Sequence, residues 1–232
     1  MHAGIGRTAG RFPRGVLRRP GLCDFGEEVI TRPGAPREIE IKLALPGAAE
    51  GRRLLRAAGF RVSKRRVFEA NTLFDTALGA LSETGHLLRV REVDRLGILT
   101  YKGAAAAGKY KDREELEVEV SDPRRLTEIL VHLDFIPTFR YEKYRTEYRR
   151  PREAGAAMLD ETPIGVYLEL EGAPGWIDRS ARRLGFADTD YSTASYGGLY
   201  ADYCAKHGLP VTHMTFQERE TEGGRDLSRA GL

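Results

Sequence analysis

The segment from Arg37 to Leu45 has the most regular pattern of polar and apolar positions. Its sequence, REIEIKLAL, alternates charged residues with isoleucine and leucine. Side chains of a β-strand point alternately to two faces, so we expect a strand with one apolar and one charged face. On the charged face, Glu38, Glu40 and Lys42 stand about 6–7 Å apart. Taken alone, this is also the pattern of a strand whose polar face meets solvent.

The same alternation recurs along much of the chain. Further strands are predicted at residues 87–93, 98–103, 109–120, 135–149, 156–161 and 166–172, and residues 60–75 are extended in character. Helical spacing and end signals predict helices at 48–58, 123–133, 176–184 and 192–207. In the last helix, Tyr196, Leu199, Tyr200 and Tyr203 form the expected packing stripe.

The charged faces of these strands are better explained together than singly. Helices of modest length cover the apolar faces if those faces point outward, and the charged faces then turn inward. Closing an antiparallel sheet also removes its exposed edges. The pattern therefore predicts an α+β fold, a closed antiparallel β-barrel with a charged lumen and helices packed outside.

The charges on these faces suggest a ligand. Basic positions are Lys42, Arg89, Arg91, Lys102, Lys143 and Arg145, and acidic positions are Glu38, Glu40, Asp160, Glu169 and Glu171. Buried charge is costly unless it is neutralised. A polyanion satisfies the bases and one or two divalent cations satisfy the acids, so a triphosphate with Mg²⁺ or Mn²⁺ suits both sets.

Composition limits the alternatives. The chain has 232 residues, 41% of them hydrophobic, and a net charge of +3, too mild to indicate a nucleic-acid partner. Cys23 and Cys204 lack metal-ligand spacing and are interpreted as free thiols. No apolar run is long enough to cross a membrane, and we expect a cytoplasmic protein. Residues 1–36 are read as a disordered extension rich in Arg, Gly and Pro, residues 37–208 as one domain, and 209–232 as a disordered tail.

These residues resemble the CYTH family of triphosphate tunnel metalloenzymes, which includes class IV adenylate cyclases, thiamine triphosphatases and inorganic triphosphatases. The signature ExExK is present as Glu38-Ile39-Glu40-Ile41-Lys42. Other matching segments are NTLFDT at 71–76, LRVR at 88–91, TYKG at 100–103, REELEVEV at 113–120, EKYR at 142–145, LDETPIGVYLELEG at 159–172 and ASY at 194–196. The resemblance spans residues 37–200 and implies an eight-stranded barrel, a triphosphate tunnel.

The resemblance also implies roles for individual residues. Glu38, Glu40, Glu169 and Glu171 match metal-binding carboxylates, and Asp160 matches an acid at the metal site. Lys42, Arg89, Arg91, Lys102 and Arg145 match triphosphate-binding bases, to which we add Lys143. Lys64 and Arg66 are weaker candidates. Glu38, Glu40 and Lys42 are the expected catalytic residues, with Mg²⁺ or Mn²⁺ as cofactor.

The expected activity is triphosphatase or adenylate cyclase. The sequence lacks the His-Phe pair that precedes ExExK in the best-known cyclases, which favours hydrolysis, whereas the C-terminal helix resembles cyclase-like bacterial proteins. A module that binds nucleotides or polyphosphate without turnover is the alternative. The expected partner is a small molecule that contains a triphosphate; neither membrane nor nucleic acid is expected, and a homodimer is left open.

Overall fold

The structure, a computed structural model, describes residues 36–217. The predicted disordered extension therefore lies outside the described residues except for Pro36, as does the tail from residue 218 onward. Among the described residues, no helix is long and apolar enough to span a membrane.

Eight strands between residues 36 and 217 form the barrel. They are β1 (Arg37–Leu45), β2 (Arg61–Thr76), β3 (Leu87–Val93), β4 (Leu96–Lys102), β5 (Lys111–Val120), β6 (Phe135–Arg149), β7 (Ala156–Thr162) and β8 (Gly165–Glu171). Neighbouring strands pair antiparallel in the order β1-β5-β4-β3-β2-β6-β7-β8, and β8 returns to β1. The predicted closed antiparallel barrel is confirmed.

Side chains are buried on both faces of the barrel wall. Those on the outer face lie under the helices, and those on the inner face line the lumen. On β1, Ile41 and Leu43 point outward and are fully buried against Leu55 and Ile177 of the surrounding helices. The lumen-facing Lys42 is only 2% exposed. Both faces of β1 are therefore shielded from solvent, so the alternation marks an apolar outer layer and a charged lumen.

Five α-helices lie on the outside of the barrel or cover its end. They are α1 (Ala48–Ala57), α2 (Ala80–Glu83), α3 (Pro123–His132), α4 (Pro174–Arg183) and α5 (Tyr196–His207), and a 3-10 helix spans Asp188–Asp190. The start predicted for the last helix is wrong by four residues. Ser192 instead pairs with Lys42 of β1, and the Ser195 side chain accepts a hydrogen bond from Gly198 N to cap α5.

Residues 213–216 contact β6, although the sequence predicted a disordered tail from residue 209. Met214 pairs with Tyr141 and is 1% exposed. Its backbone N donates to Arg140 O, and its carbonyl accepts from Glu142 N. Tyr144 contacts the ring of Phe216. This part of β6 precedes its pairing with β7, so the chain end covers an otherwise free strand edge.

Asp75 organises the turn between β2 and β3. Its carboxylate accepts hydrogen bonds from the backbone N of Thr76, Leu81 and Ser82, at 2.7, 2.9 and 2.9 Å. Burial opposes ionisation of Asp75, but these hydrogen bonds outweigh it and lower the pKa of the carboxyl group. The negative charge of this side chain at neutral pH therefore stabilises the start of α2.

We expect Asp75→Asn to lower the free energy of unfolding by about 1–3 kcal/mol at neutral pH, measured by urea denaturation. A lowered pKa contributes stability above the unfolded-state pKa, and this contribution is lost as pH falls through the folded-state pKa. The difference from wild type should therefore shrink in acid. Asp202→Asn, on the exposed face of α5, is the control. Equal stability of Asp75→Asn and wild type at neutral pH would contradict this role.

Candidate active site

The lumen holds a cavity of about 170 Å³ lined almost entirely by ionisable side chains. Eight bases line it: Lys42, Arg89, Arg91, Lys102, Lys111, Arg113, Lys143 and Arg145. Six acids line it: Glu38, Glu40, Glu115, Glu117, Glu169 and Glu171. Two further acids, Glu69 and Asp160, are buried and contact these bases. With them included, the formal charges of the two signs balance.

Strands β1 and β8 bring the predicted acids together. Their register places Glu40 opposite Glu171 and Lys42 opposite Glu169. Lys42 Nζ lies 2.9 Å from Glu40 Oε1 and 3.2 Å from Glu169 Oε2. Those two carboxylates flank the lysine and raise its pKa despite its complete burial. Lys42 therefore stays a cation and joins neighbouring acids that would otherwise repel each other.

Glu38 is held by bases from two other strands. Lys102 Nζ lies 2.5 Å from Glu38 Oε2, and Arg113 Nε lies 3.4 Å from the same oxygen. Burial alone would raise the pKa of Glu38, but Lys102 and Arg113 outweigh it and lower the pKa to about 2. Lys111 Nζ similarly pairs with Glu40 Oε1 at 3.0 Å. Glu38 and Glu40 are thus each paired with a base.

Glu171 differs from the other acids. Its pKa is raised to about 7, first because it is buried and then because Glu169, Glu38 and Glu115 surround it with negative charge. Within residues 36–217, its carboxylate takes part in none of the ion pairs that join the other lumen acids to bases, and Arg145 only partly offsets the raised pKa. An unpartnered carboxylate beside other acids has excess negative potential, which a cation would neutralise.

Asp160 is the centre of a buried network. It is 0% exposed and accepts from Lys143 Nζ at 2.9 Å and from Arg145 Nε at 2.7 Å. The hydroxyl of Tyr196, the first residue of α5, donates to it at 2.5 Å. Burial opposes ionisation of Asp160, yet Arg145 and Lys143 lower its pKa to about 2. Both carboxylate oxygens are engaged, so Asp160 holds two bases in position.

The remaining predicted bases, Arg89 and Arg91, lie on β3. Arg89 donates to the Tyr141 hydroxyl at 3.3 Å and to Thr100 Oγ1 at 3.0 Å. Arg91 Nε donates to Asn71 Oδ1 at 3.0 Å. Every residue that the sequence placed in the site therefore lies in the lumen or directly behind its lining. Lys64 and Arg66, the weaker candidates, do not: both are exposed and pair with Glu147 and Glu161.

Several lumen residues were not assigned to the site from the sequence. Lys111, Arg113 and Glu115 occupy alternate positions of β5, and this spacing is the signal that places them together in the lumen. Tyr196 was read as part of a packing stripe, but its ring lies 4.8 Å from Lys143 Nζ and 5.3 Å from Lys42 Nζ. No local signal distinguishes a tyrosine that enters the lumen from one that packs on the barrel.

The acids of the lumen are candidate ligands for a divalent cation. Between residues 36 and 217, no group of three His, Cys, Asp or Glu side chains is already arranged as a metal site. Bases stand between the acids, as Lys42 does between Glu40 and Glu169. The donor set nevertheless fits a hard cation, since Glu171 is unpartnered and its pKa responds to Glu169 and Glu38.

The fold and the site define a class of proteins, closed antiparallel β-barrels whose lumen is lined by buried acids and bases. The chain belongs to the CYTH family, because the CYTH domain profile matches residues 36–176. A Methanocaldococcus jannaschii protein, named provisionally as an adenylate cyclase, is 30% identical over 134 residues, which are 58% of this chain and 75% of the relative.

Solved structures share the fold. Protein PH1819 of Pyrococcus horikoshii has a TM-score of 0.59 and 25% identity, covering 71% of this chain and 98% of that one. A Vibrio parahaemolyticus protein named provisionally as an adenylate cyclase has a TM-score of 0.61 and 15% identity, covering 74% and 99%. Hippeastrum HpAC1, named provisionally as an adenylyl cyclase and described as having dominant triphosphatase activity, has a TM-score of 0.52 and 20% identity, covering 75% and 97%.

Proposed function

We propose that this protein is a divalent-metal-dependent enzyme that cleaves a triphosphate inside the barrel. The observation that carries this proposal is the lumen, where buried acids and bases balance in number. A bare polyanion would leave this lumen with excess negative charge. A triphosphate that enters with one or two divalent cations adds much less net charge.

The acids on β1 and β8 are the proposed metal ligands. Glu38, Glu40, Glu169 and Glu171 supply the carboxylate oxygens that Mg²⁺ or Mn²⁺ prefers. When bound, the cation would polarise phosphoryl oxygens and neutralise charge that develops during transfer. Asp160, which we counted among the metal residues from the sequence, is assigned a positioning role toward Lys143 and Arg145.

The bases bind and orient the phosphates. Lys42, Lys102 and Arg145 now pair with carboxylates at 2.5–3.2 Å, so an incoming anion must compete with those acids. Each base that turns toward a phosphate releases a carboxylate. A carboxylate released in this way is free to bind the cation, so anion binding and cation binding should reinforce each other. Each such step breaks one buried ion pair.

Hydrolysis is the first candidate reaction and cyclisation the second. The missing His-Phe pair before β1 and the activity described for Hippeastrum HpAC1 support hydrolysis. Relatives named as adenylate cyclases support cyclisation. The test is a panel of inorganic triphosphate, ATP and thiamine triphosphate with Mg²⁺ or Mn²⁺, with all products identified. Binding without metal-dependent release of phosphate or pyrophosphate would instead indicate a binding module.

We expect Lys42→Ala to weaken binding of inorganic triphosphate about 10–100-fold, because one buried charge-assisted hydrogen bond is lost. Glu40 keeps Lys111 and Glu169 keeps Arg145, so neither acid becomes unpaired. Calorimetric titration at fixed Mg²⁺ gives the affinity. Lys206→Ala, on the exposed end of α5, is the control. Equal affinity of Lys42→Ala and wild type would remove this assignment.

A further inference from the structure

Strand β2 projects beyond the barrel. Strand β3 pairs with β2 only from Glu69 to Phe74, whereas β6 pairs with it back to Arg61. Residues 61–68 of β2 thus have a strand neighbour on one side only. Six consecutive residues of this segment, 61–66, are exposed. The result is a strand edge that extends past one mouth of the lumen.

The ionisable residues of this strand edge, between residues 61 and 68, are all basic. Its bases are Arg61, Lys64, Arg65 and Arg66 on β2 and Arg149 opposite them on β6; we call these five residues the basic ridge. Glu147 is shared by Lys64 at 3.1 Å and Arg149 at 2.6 Å. Arg66 pairs with Glu161.

Part of this positive charge is uncompensated. Within the described part of the chain, Arg61 and Arg65 have no acidic partner, and five ridge bases face two acids. Charged residues on an edge strand also prevent pairing with another sheet. That role does not require a single sign, so the excess of positive charge needs another explanation.

The ridge continues a row of bases that begins in the lumen. Along β6, Lys143 lies opposite Glu69, and Arg145 lies opposite Val67. Two residues further on, Lys64 lies opposite Glu147, and beyond it Arg61 lies opposite Arg149. Alternate residues of a strand are about 6–7 Å apart, so the paired strands β6 and β2 carry a base at each of these steps from the buried lumen to the exposed ribbon, with Glu69 and Glu147 among them.

We propose that the basic ridge binds the part of a linear inorganic polyphosphate that extends out of the lumen. The proposal rests on the proposed function and deepens it, because it makes the ligand a chain longer than three phosphates. The ridge side chains are all cationic donors without acceptor groups. A chain of identical anionic phosphates satisfies them with the same chemistry as the bases of the lumen.

The test compares the affinity of the protein for tripolyphosphate with its affinity for polyphosphate of about fifteen phosphates. Both affinities are expressed per polyphosphate molecule. Wild type should bind the longer chain at least about tenfold more tightly. Arg61→Ala/Arg65→Ala should lose most of that gain but keep its affinity for tripolyphosphate. These two arginines are chosen because their removal leaves no acid unpaired. The salt dependence of binding to the longer chain should also become shallower, since fewer phosphates are contacted.

Arg124→Ala/Arg179→Ala is the matched control. It removes the same charge from two exposed arginines elsewhere on the surface and should keep the gain with chain length. All variants retain residues 1–35, so any contribution of that basic segment cancels. If Arg61→Ala/Arg65→Ala does not fold, as judged by thermal unfolding, Arg65→Glu alone should reduce the gain.

Two results would overturn the proposal. One is a gain with chain length that is the same in wild type and in the ridge variants. The other is a ridge-dependent gain with 5′-triphosphorylated single-stranded RNA but none with polyphosphate, which would make the ridge a nucleic-acid surface. Failure of tripolyphosphate itself to bind would instead reject the proposed function, so the two failures are distinguishable.

Discussion

Replacement of Glu171 by glutamine is expected to reduce metal-dependent cleavage of a triphosphate at least about a hundredfold. The substitution removes a negative charge from the acidic side of the lumen and keeps the size of the side chain. It should leave the fold intact, because Glu171 holds no base in place among the described residues and its pKa is already raised to about 7 by burial and by Glu169 and Glu38. Phosphate release across a range of Mg²⁺ and Mn²⁺ concentrations is the measurement.

Two further variants sharpen this test. Glu161→Gln changes an acid of β7 that does not line the lumen and pairs with Arg66, so it should retain activity. Binding of Mn²⁺ without substrate, followed by its paramagnetic effect on water, should weaken in Glu171→Gln. Wild-type activity and wild-type Mn²⁺ binding in Glu171→Gln would remove Glu171 from the proposed metal site.

The largest expected loss of stability follows Asp160→Ala, by about 3–5 kcal/mol in urea denaturation at neutral pH. Asp160 is 0% exposed, and its removal deprives buried Lys143 and Arg145 of their shared partner. Of the described acids, Lys143 then keeps only Glu69, at 3.6 Å, and Arg145 keeps Glu169, so fewer acids compensate the two buried bases, which is costly. Tyr196→Phe removes one hydrogen bond to the same carboxylate and should cost only about 0.5–1.5 kcal/mol.

A compensating substitution separates lost charge pairing from lost packing. Lys143→Met combined with Asp160→Leu removes both buried charges, and Arg145 keeps Glu169 at 2.9 Å. The double variant should recover much of the stability lost in Asp160→Ala, because well-packed apolar side chains often replace buried ion pairs without loss. Unfolding of Asp160→Ala at the same urea concentration as wild type would show that this network does not stabilise the fold.

Much of the candidate site was predictable because it depends on strand periodicity. Because Glu38, Glu40 and Lys42 share one face of β1, their side chains lie either all in the lumen or all outside it. The same reasoning applies to Arg89 and Arg91 on β3. The same reasoning fails for Lys64 and Arg66, which lie outside the lumen. The irregular register of β2 between Val62 and Val67 and the early end of β3 place them outside the barrel, and neither feature is visible in the alternation.

The sequence by itself determined which residues share a face, where most strands lie, and that charged faces had to meet across a lumen or face solvent. Those properties are local, since they follow from the two-residue period of a strand. Tertiary structure decided the partners: Glu38 with Lys102, Asp160 with Tyr196, and Met214 against Tyr141. These contacts join residues distant in sequence, so they depend on barrel closure and strand register, which no local pattern specifies.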